Sequence, residues 1–183
     1  MSRSAIRRAS ALGAAFLVSA MSIVHAAAAD LVKRGQYLVT VMACSDCHTP
    51  GALLGKPDMK RFLGGAEVGF AMPGMGVFAP SNLTPDKDTG LGNWTSEQIA
   101  AAITKGTRPD GRVLVPIMPW MDFASLTKSD AMAIAAYLKS LPPTRNKVAG
   151  PFGPTEKPTI MVMTVVPPEV YAKLPKPPAP PNK

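Results

Sequence analysis

Cys44-Ser45-Asp46-Cys47-His48 reads C-x-x-C-H. Two thiols three residues apart on a turn can form thioethers with the two vinyl groups along one porphyrin edge, and the adjacent imidazole is carried under the ring to meet the iron. A redox-active C-x-x-C pair is the first competing reading, but it needs a strand ahead of the motif, and the residues before Cys44 read as a helix. A structural disulfide is the second, and it would close so small a loop that it stabilises little. The motif therefore predicts one covalent haem c, with Cys44 and Cys47 as thioether donors and His48 as an axial ligand to the iron.

Composition narrows the chemistry further. The 183 residues hold 2 Cys and 2 His, too few soft ligands in one place for a four-ligand zinc site or a disulfide-dense scaffold. With 46% apolar and 17% charged residues, the chain has the means to build a core.

Residues 1–29 read as a secretory leader, cleaved between about 26 and 30. A basic start (Arg3, Arg7, Arg8) precedes an apolar stretch, Ala11 to Val24, and then a small-residue run, His25 to Ala29. The apolar stretch falls short of the ~20 residues a spanning helix needs, so export rather than anchoring is expected. Arg7-Arg8 hints at twin-arginine export, but its flanks do not strengthen the match, and the general secretory route is the default. Cleavage removes three Arg and lowers the formal charge from +8 to +5, which weakens any argument for nucleic-acid binding. It also removes His25, leaving His48 as the histidine of the mature chain.

Around the motif the pattern is helical. Asp30 caps a helix over Leu31 to Ala43, with Gly35 placed for close packing by another helix. Thr49 to Ser81 lacks a sustained period and reads as a loop around a cofactor. Thr95 and Gln98 form a capping box, with Trp94 and Ile99 as its staple, for a helix that stops at Lys105-Gly106. Thr127 caps a last helix to about Leu141, with Ala131, Ile134, Ala135, Leu138 and Leu141 as its apolar stripe and Pro142-Pro143 as its end. From Pro142 onward lie 12 of the 20 prolines. Thr159 to Val166 is strand-like, and Pro175 to Pro181 reads as a polyproline II tail.

With no second histidine, the sixth iron position falls to a methionine, a weak ligand or none. Met42 precedes the motif on the wrong side, Met132 lies in the last helix, and Met161 and Met163 lie in the tail. Met72, Met75, Met118 and Met121 sit in loops. Met118, stiffened by Pro116 and Pro119, is the best placed, with Met121 and Met75 as alternatives. Trp94 and Trp120 are candidates to border the haem edge and offer an indole N–H to a propionate. Lys105, Arg108, Arg112, Lys56, Lys60 and Arg61 are candidates to steer an acidic partner.

The order helix, C-x-x-C-H, loop, helix, Met-bearing loop, helix resembles the class I c-type cytochromes. Asn82-Leu83-Thr84-Pro85-Asp86, Thr89-Gly90-Leu91-Gly92-Asn93-Trp94, Asp110-Gly111, Met118-Pro119-Trp120 and Ala136-Tyr137-Leu138-Lys139-Ser140-Leu141-Pro142-Pro143 are similar to one haem domain of the cytochrome subunits of alcohol and aldehyde dehydrogenases. Those subunits usually carry three such domains, whereas this chain has one C-x-x-C-H. The resemblance implies an all-α class I fold over residues 30–143, with helices packed around one haem and a Pro-rich extension over 144–183. It also implies that the Met of the M-P-aromatic motif, here Met118, is the distal ligand, and that Tyr137 packs near Gly35.

The expected function is periplasmic one-electron transfer, without catalysis by the chain itself. Its partners would be a dehydrogenase, a terminal oxidase or another cytochrome. Membrane association would come only through a partner or an uncleaved leader. A five-coordinate haem enzyme or gas sensor is the alternative.

Overall fold

The computed structural model describes residues 28–175. The leader expected over 1–29 lies almost wholly outside them, as does most of the polyproline stretch. Six α-helical segments and a small sheet surround one core. They are α1 (28–41), α2 (Cys44–His48), α3 (Ser96–Lys105), the single turn α4 (Trp120–Phe123), α5 (Lys128–Ser140) and α6 (Pro168–Tyr171). No described helix is long and apolar enough to cross a membrane.

The helix ends follow from local chemistry. The Thr95 hydroxyl accepts from the Gln98 amide at 3.2 Å and the Gln98 side chain accepts from the Thr95 amide at 2.9 Å, closing the capping box of α3. Gly106 ends α3 at φ 66°, and a Cβ there would stand 2.6 Å from the Trp120 indole, so both its conformation and its space demand glycine. Thr127 caps α5 by accepting from the Asp130 amide at 3.1 Å. α1 does not run into the motif unbroken. Ala43, with φ 54°, turns the chain left-handed and starts α2 as a separate helix.

Helix α5 crosses α1 at Gly35. A Cβ on Gly35 would overlap the Ala133 carbonyl oxygen and come within 2.7 Å of Tyr137 Cβ, so the expected Gly35–Tyr137 contact is present. Ala131, Ile134, Ala135 and Leu138 are buried as the stripe predicts. Ala133 is buried as well, because the bare backbone of α1 lies on it. These side chains join Leu38, Val39, Leu63, Leu91 and Ile99 in the core.

Helices α3 and α5 agree with expectation, whereas α1 is already helical at residue 28, so that Asp30 lies within it and does not cap it. Thr49 to Ser81 is more than a loop. It holds two short 3-10 turns and the antiparallel hairpin β1 (Val68–Met72) and β2 (Gly76–Phe78), with Phe70 opposite Phe78. Met161–Met163, the strand-like part of the Pro-rich segment, forms β3 and pairs in parallel with β1, giving the order β2-β1-β3. Val68-Gly69-Phe70-Ala71-Met72 shows no alternation, and one of its pairing partners is remote in sequence. Periodicity therefore carries no signal for it.

Candidate functional site

Helix α2 sets its three chemical groups against one cavity of about 680 Å³, within the range of cofactor pockets. Cys44, Cys47 and His48 line it together, and both thiols are free. Burial pushes the Cys44 thiol up to about 11 and raises Cys47 as well, so both are held as neutral thiols at neutral pH.

His48 is buried, and burial lowers its pKa, which keeps the ring neutral. Its Nδ1–H donates to the Ser81 carbonyl at 2.7 Å. A carbonyl can only accept, so the proton sits on Nδ1 and the Nε2 lone pair is left for a metal. Ser81 carried no sequence signal, because only its backbone oxygen acts.

The rest of the wall is mostly apolar. Helix α1 gives Val39 and the turn after it Met42, α3 gives Ile99, Ala102 and Ile103, and α5 gives Ile134 and Leu138. Phe70 and Phe78, a pair across the hairpin, close another side. Sequence reasoning missed these two because it missed the hairpin.

Met118 lines the cavity; Met75 and Met121 do not, and both are largely exposed. Met42 lines it too, but from the same segment as Cys44. The Met118 loop is braced from within. The Leu114 amide donates to the Gly106 carbonyl at 2.7 Å, and the Trp120 indole N–H donates to the Leu114 carbonyl at 3.1 Å. That bond corrects the expectation for Trp120. It is absent from the cavity lining, and its N–H holds the loop instead of facing a propionate. Trp94 does line the cavity, with the Arg108 guanidinium 5.0 Å over its ring.

Of the six cations expected to act together, Arg108 and Arg112 line the cavity, whereas Lys105, Lys56, Lys60 and Arg61 do not. Arg61 is paired with Asp58 at 2.8 Å. Lys147, not anticipated, joins Arg108 and Arg112 in the lining. Among the described residues no cluster of three or more His, Cys, Asp or Glu side chains could hold a bare metal ion. The donor set instead fits a porphyrin iron, with two thiols on one edge, a tautomer-fixed imidazole and an apolar envelope.

The Cytochrome c family profile matches residues 32–142. The chain belongs to the cytochrome c family. With that membership comes covalently bound haem c, for which Cys44, Cys47 and His48 are the attachment motif. This cytochrome is 39% identical over 115 residues to the cytochrome c subunit of a quinone alcohol dehydrogenase from Gluconobacter oxydans, covering 62% of this chain and 22% of that one. It is 37% identical over 107 residues to the fructose dehydrogenase cytochrome subunit of Gluconobacter japonicus, covering 58% of this chain and 20% of that one. A gluconate 2-dehydrogenase cytochrome c subunit from Pantoea cypripedii is 36% identical over 107 residues, covering 58% of this chain and 22% of its own length. The chain thus spans about a fifth of the length of these curated relatives.

Proposed function

We propose that this cytochrome is a periplasmic one-electron carrier, with His48 and Met118 as its axial ligands, that passes electrons from a dehydrogenase toward the respiratory chain. The observation that carries the reading is that Met118 and the tautomer-fixed His48 line one apolar cavity. Haem c, when bound, supplies an Fe(III)/Fe(II) couple.

The protein's own residues do the remaining work. Cys44 and Cys47 would hold the porphyrin by thioethers along one edge. Ser81 holds the imidazole proton on Nδ1, leaving Nε2 for a metal, and the loop braced at Leu114 and Trp120 holds Met118 at the cavity, where its sulfur would serve as the second ligand. The apolar wall excludes water, which lowers the reorganisation that accompanies each electron. Arg108 and Arg112 give the site a positive rim suited to an acidic partner. Names of relatives that are dehydrogenase subunits support the choice of donor, and the leader-like first residues support export.

The test is spectroscopic. Periplasmic protein should carry the mass of one haem. Its ferric form should show a methionine-to-iron charge-transfer absorption and resist cyanide. Met118→Ala should abolish the absorption and admit cyanide. A parent that binds cyanide readily, with a spectrum unchanged in Met118→Ala, would refute the ligand assignment and favour a five-coordinate haem protein.

A further inference from the structure

Residues 32–142, the span of the family match, do not close the haem cavity by themselves. Lys147, Val148, Ala149, Gly150 and Pro151 also line it. This stretch is fastened at both ends. At its start, the Thr144 carbonyl accepts from Asn82 Nδ2 at 2.7 Å and the Thr144 amide donates to the Thr84 hydroxyl at 3.0 Å. The Asn146 amide donates to the Thr89 hydroxyl at 3.0 Å, and Asn146 Nδ2 donates to the Gly64 carbonyl at 2.8 Å. At its end, Phe152 and Val77 exchange backbone hydrogen bonds of 2.9 and 3.0 Å.

Between the two anchors Val148 packs onto Gly65, where a Cβ would overlap the Val148 methyl. Asn82 and Thr84 are each 1% exposed, so their bonds to the arm lie inside the protein and not on its surface. Asn82 also follows Ser81 directly, and the Ser81 carbonyl orients His48. The side chain that holds the arm is therefore adjacent to the group that sets the ligand ring.

We propose that residues 144–152 form a fixed wall of the haem site, clamped by Asn82, that keeps water from the haem and steadies the Ser81 carbonyl behind His48. Asn82 is then a positioning residue. The proposal goes beyond electron carriage, since it holds whatever partner the haem serves.

Exclusion of water favours the less charged ferrous state, so the midpoint potential reads the wall directly. In the haem-loaded full chain, Val148→Asp should lower the reduced-to-oxidised ratio at a fixed poise about tenfold, equivalent to about 59 mV for a one-electron couple. Val165→Asp makes the same charge change outside the arm, beyond β3, at a residue 98% exposed, and should shift the ratio by less than about twofold. Uncharged Val148→Asn should shift it in the same direction by a smaller factor, and carries the test if the aspartate variant loads haem poorly.

Asn82→Asp keeps the acceptor oxygen used by Thr84 but removes the donor to Thr144. It should speed amide exchange at Asn146 and Phe152 and lower the potential together. Equal shifts for Val148→Asp and Val165→Asp, or faster exchange in Asn82→Asp at an unchanged potential, would overturn the proposal. A parent protein lacking the mass of one haem would instead overturn the haem reading itself, and that measurement is separate.

Discussion

Replacing Gly35 by alanine sets two effects of opposite sign against each other. On a free helix surface, alanine is favoured over glycine by about 1 kcal/mol. At the α1–α5 crossing, the new Cβ would overlap the Ala133 carbonyl oxygen and lie 2.7 Å from Tyr137 Cβ. Carbon atoms rest at about 3.5–4.0 Å, so the helices must part by roughly 1 Å. That movement loosens packing around Val39 and Ile134, which are 1% and 2% exposed. Overpacking of this kind costs about 1–3 kcal/mol, and the obstacle here is backbone that cannot swing aside, so the upper end applies. After the helix gain is subtracted, Gly35→Ala should destabilise the protein by about 2 kcal/mol. With a urea m-value of about 1–3 kcal/mol/M, the unfolding midpoint should fall by about 1 M. The assay is urea unfolding of the haem-loaded protein followed by far-ultraviolet circular dichroism. Gln36→Ala, at the exposed neighbouring position, serves as the control and should leave the midpoint nearly unchanged. A Gly35→Ala protein as stable as the parent, or more so, would refute the close crossing.

Thr95→Ala removes the capping-box acceptor of α3 and should cost about 1 kcal/mol in the same urea assay, while Ser96→Ala should cost much less. Arg34 on α1 bonds Asp130 on α5 at 2.8 Å, and this bond, followed by that from Thr127, holds the Asp130 carboxyl below the usual carboxylate range. Its folded value lies below its unfolded one, so its stabilising share is present above the unfolded value and is lost as pH falls through the folded value. Asp130→Asn should accordingly narrow the gap between the urea midpoints at pH 7 and pH 3, and an unchanged gap would exclude the pair as a source of acid sensitivity. Charge reversal at Arg108 and Arg112 should slow electron exchange with an acidic partner at low salt, the difference vanishing near 1 M, where the Debye length is about 3 Å. Equal rates at low salt would remove the steering role.

What the sequence located depends on residues close together in the chain, although not every such feature was legible. The C-x-x-C-H spacing named the cofactor because both vinyl attachments and the iron are satisfied within five consecutive residues. The capping box at Thr95 and the stop at Gly106 marked α3 because they act within one helical turn. The hairpin escaped because its strands are short and unalternating, and the role given to Trp120 was wrong because an indole N–H can reach a backbone carbonyl as readily as a carboxylate. The Leu114 carbonyl is a partner that no side-chain pattern reveals.

The sequence by itself determined the attachment chemistry, the capping box and glycine stop of α3, and the Thr127 cap of α5. Tertiary structure alone decided that Met118, among the four loop methionines, lines the cavity, which carbonyl fixes the His48 tautomer, and that the segment after Pro143 returns to line the same cavity. The division has a physical reason. Covalent spacing and helix capping act between neighbours along the chain, whereas a cavity wall is defined by the meeting of distant segments, and here much of that meeting is made by backbone groups that every residue carries.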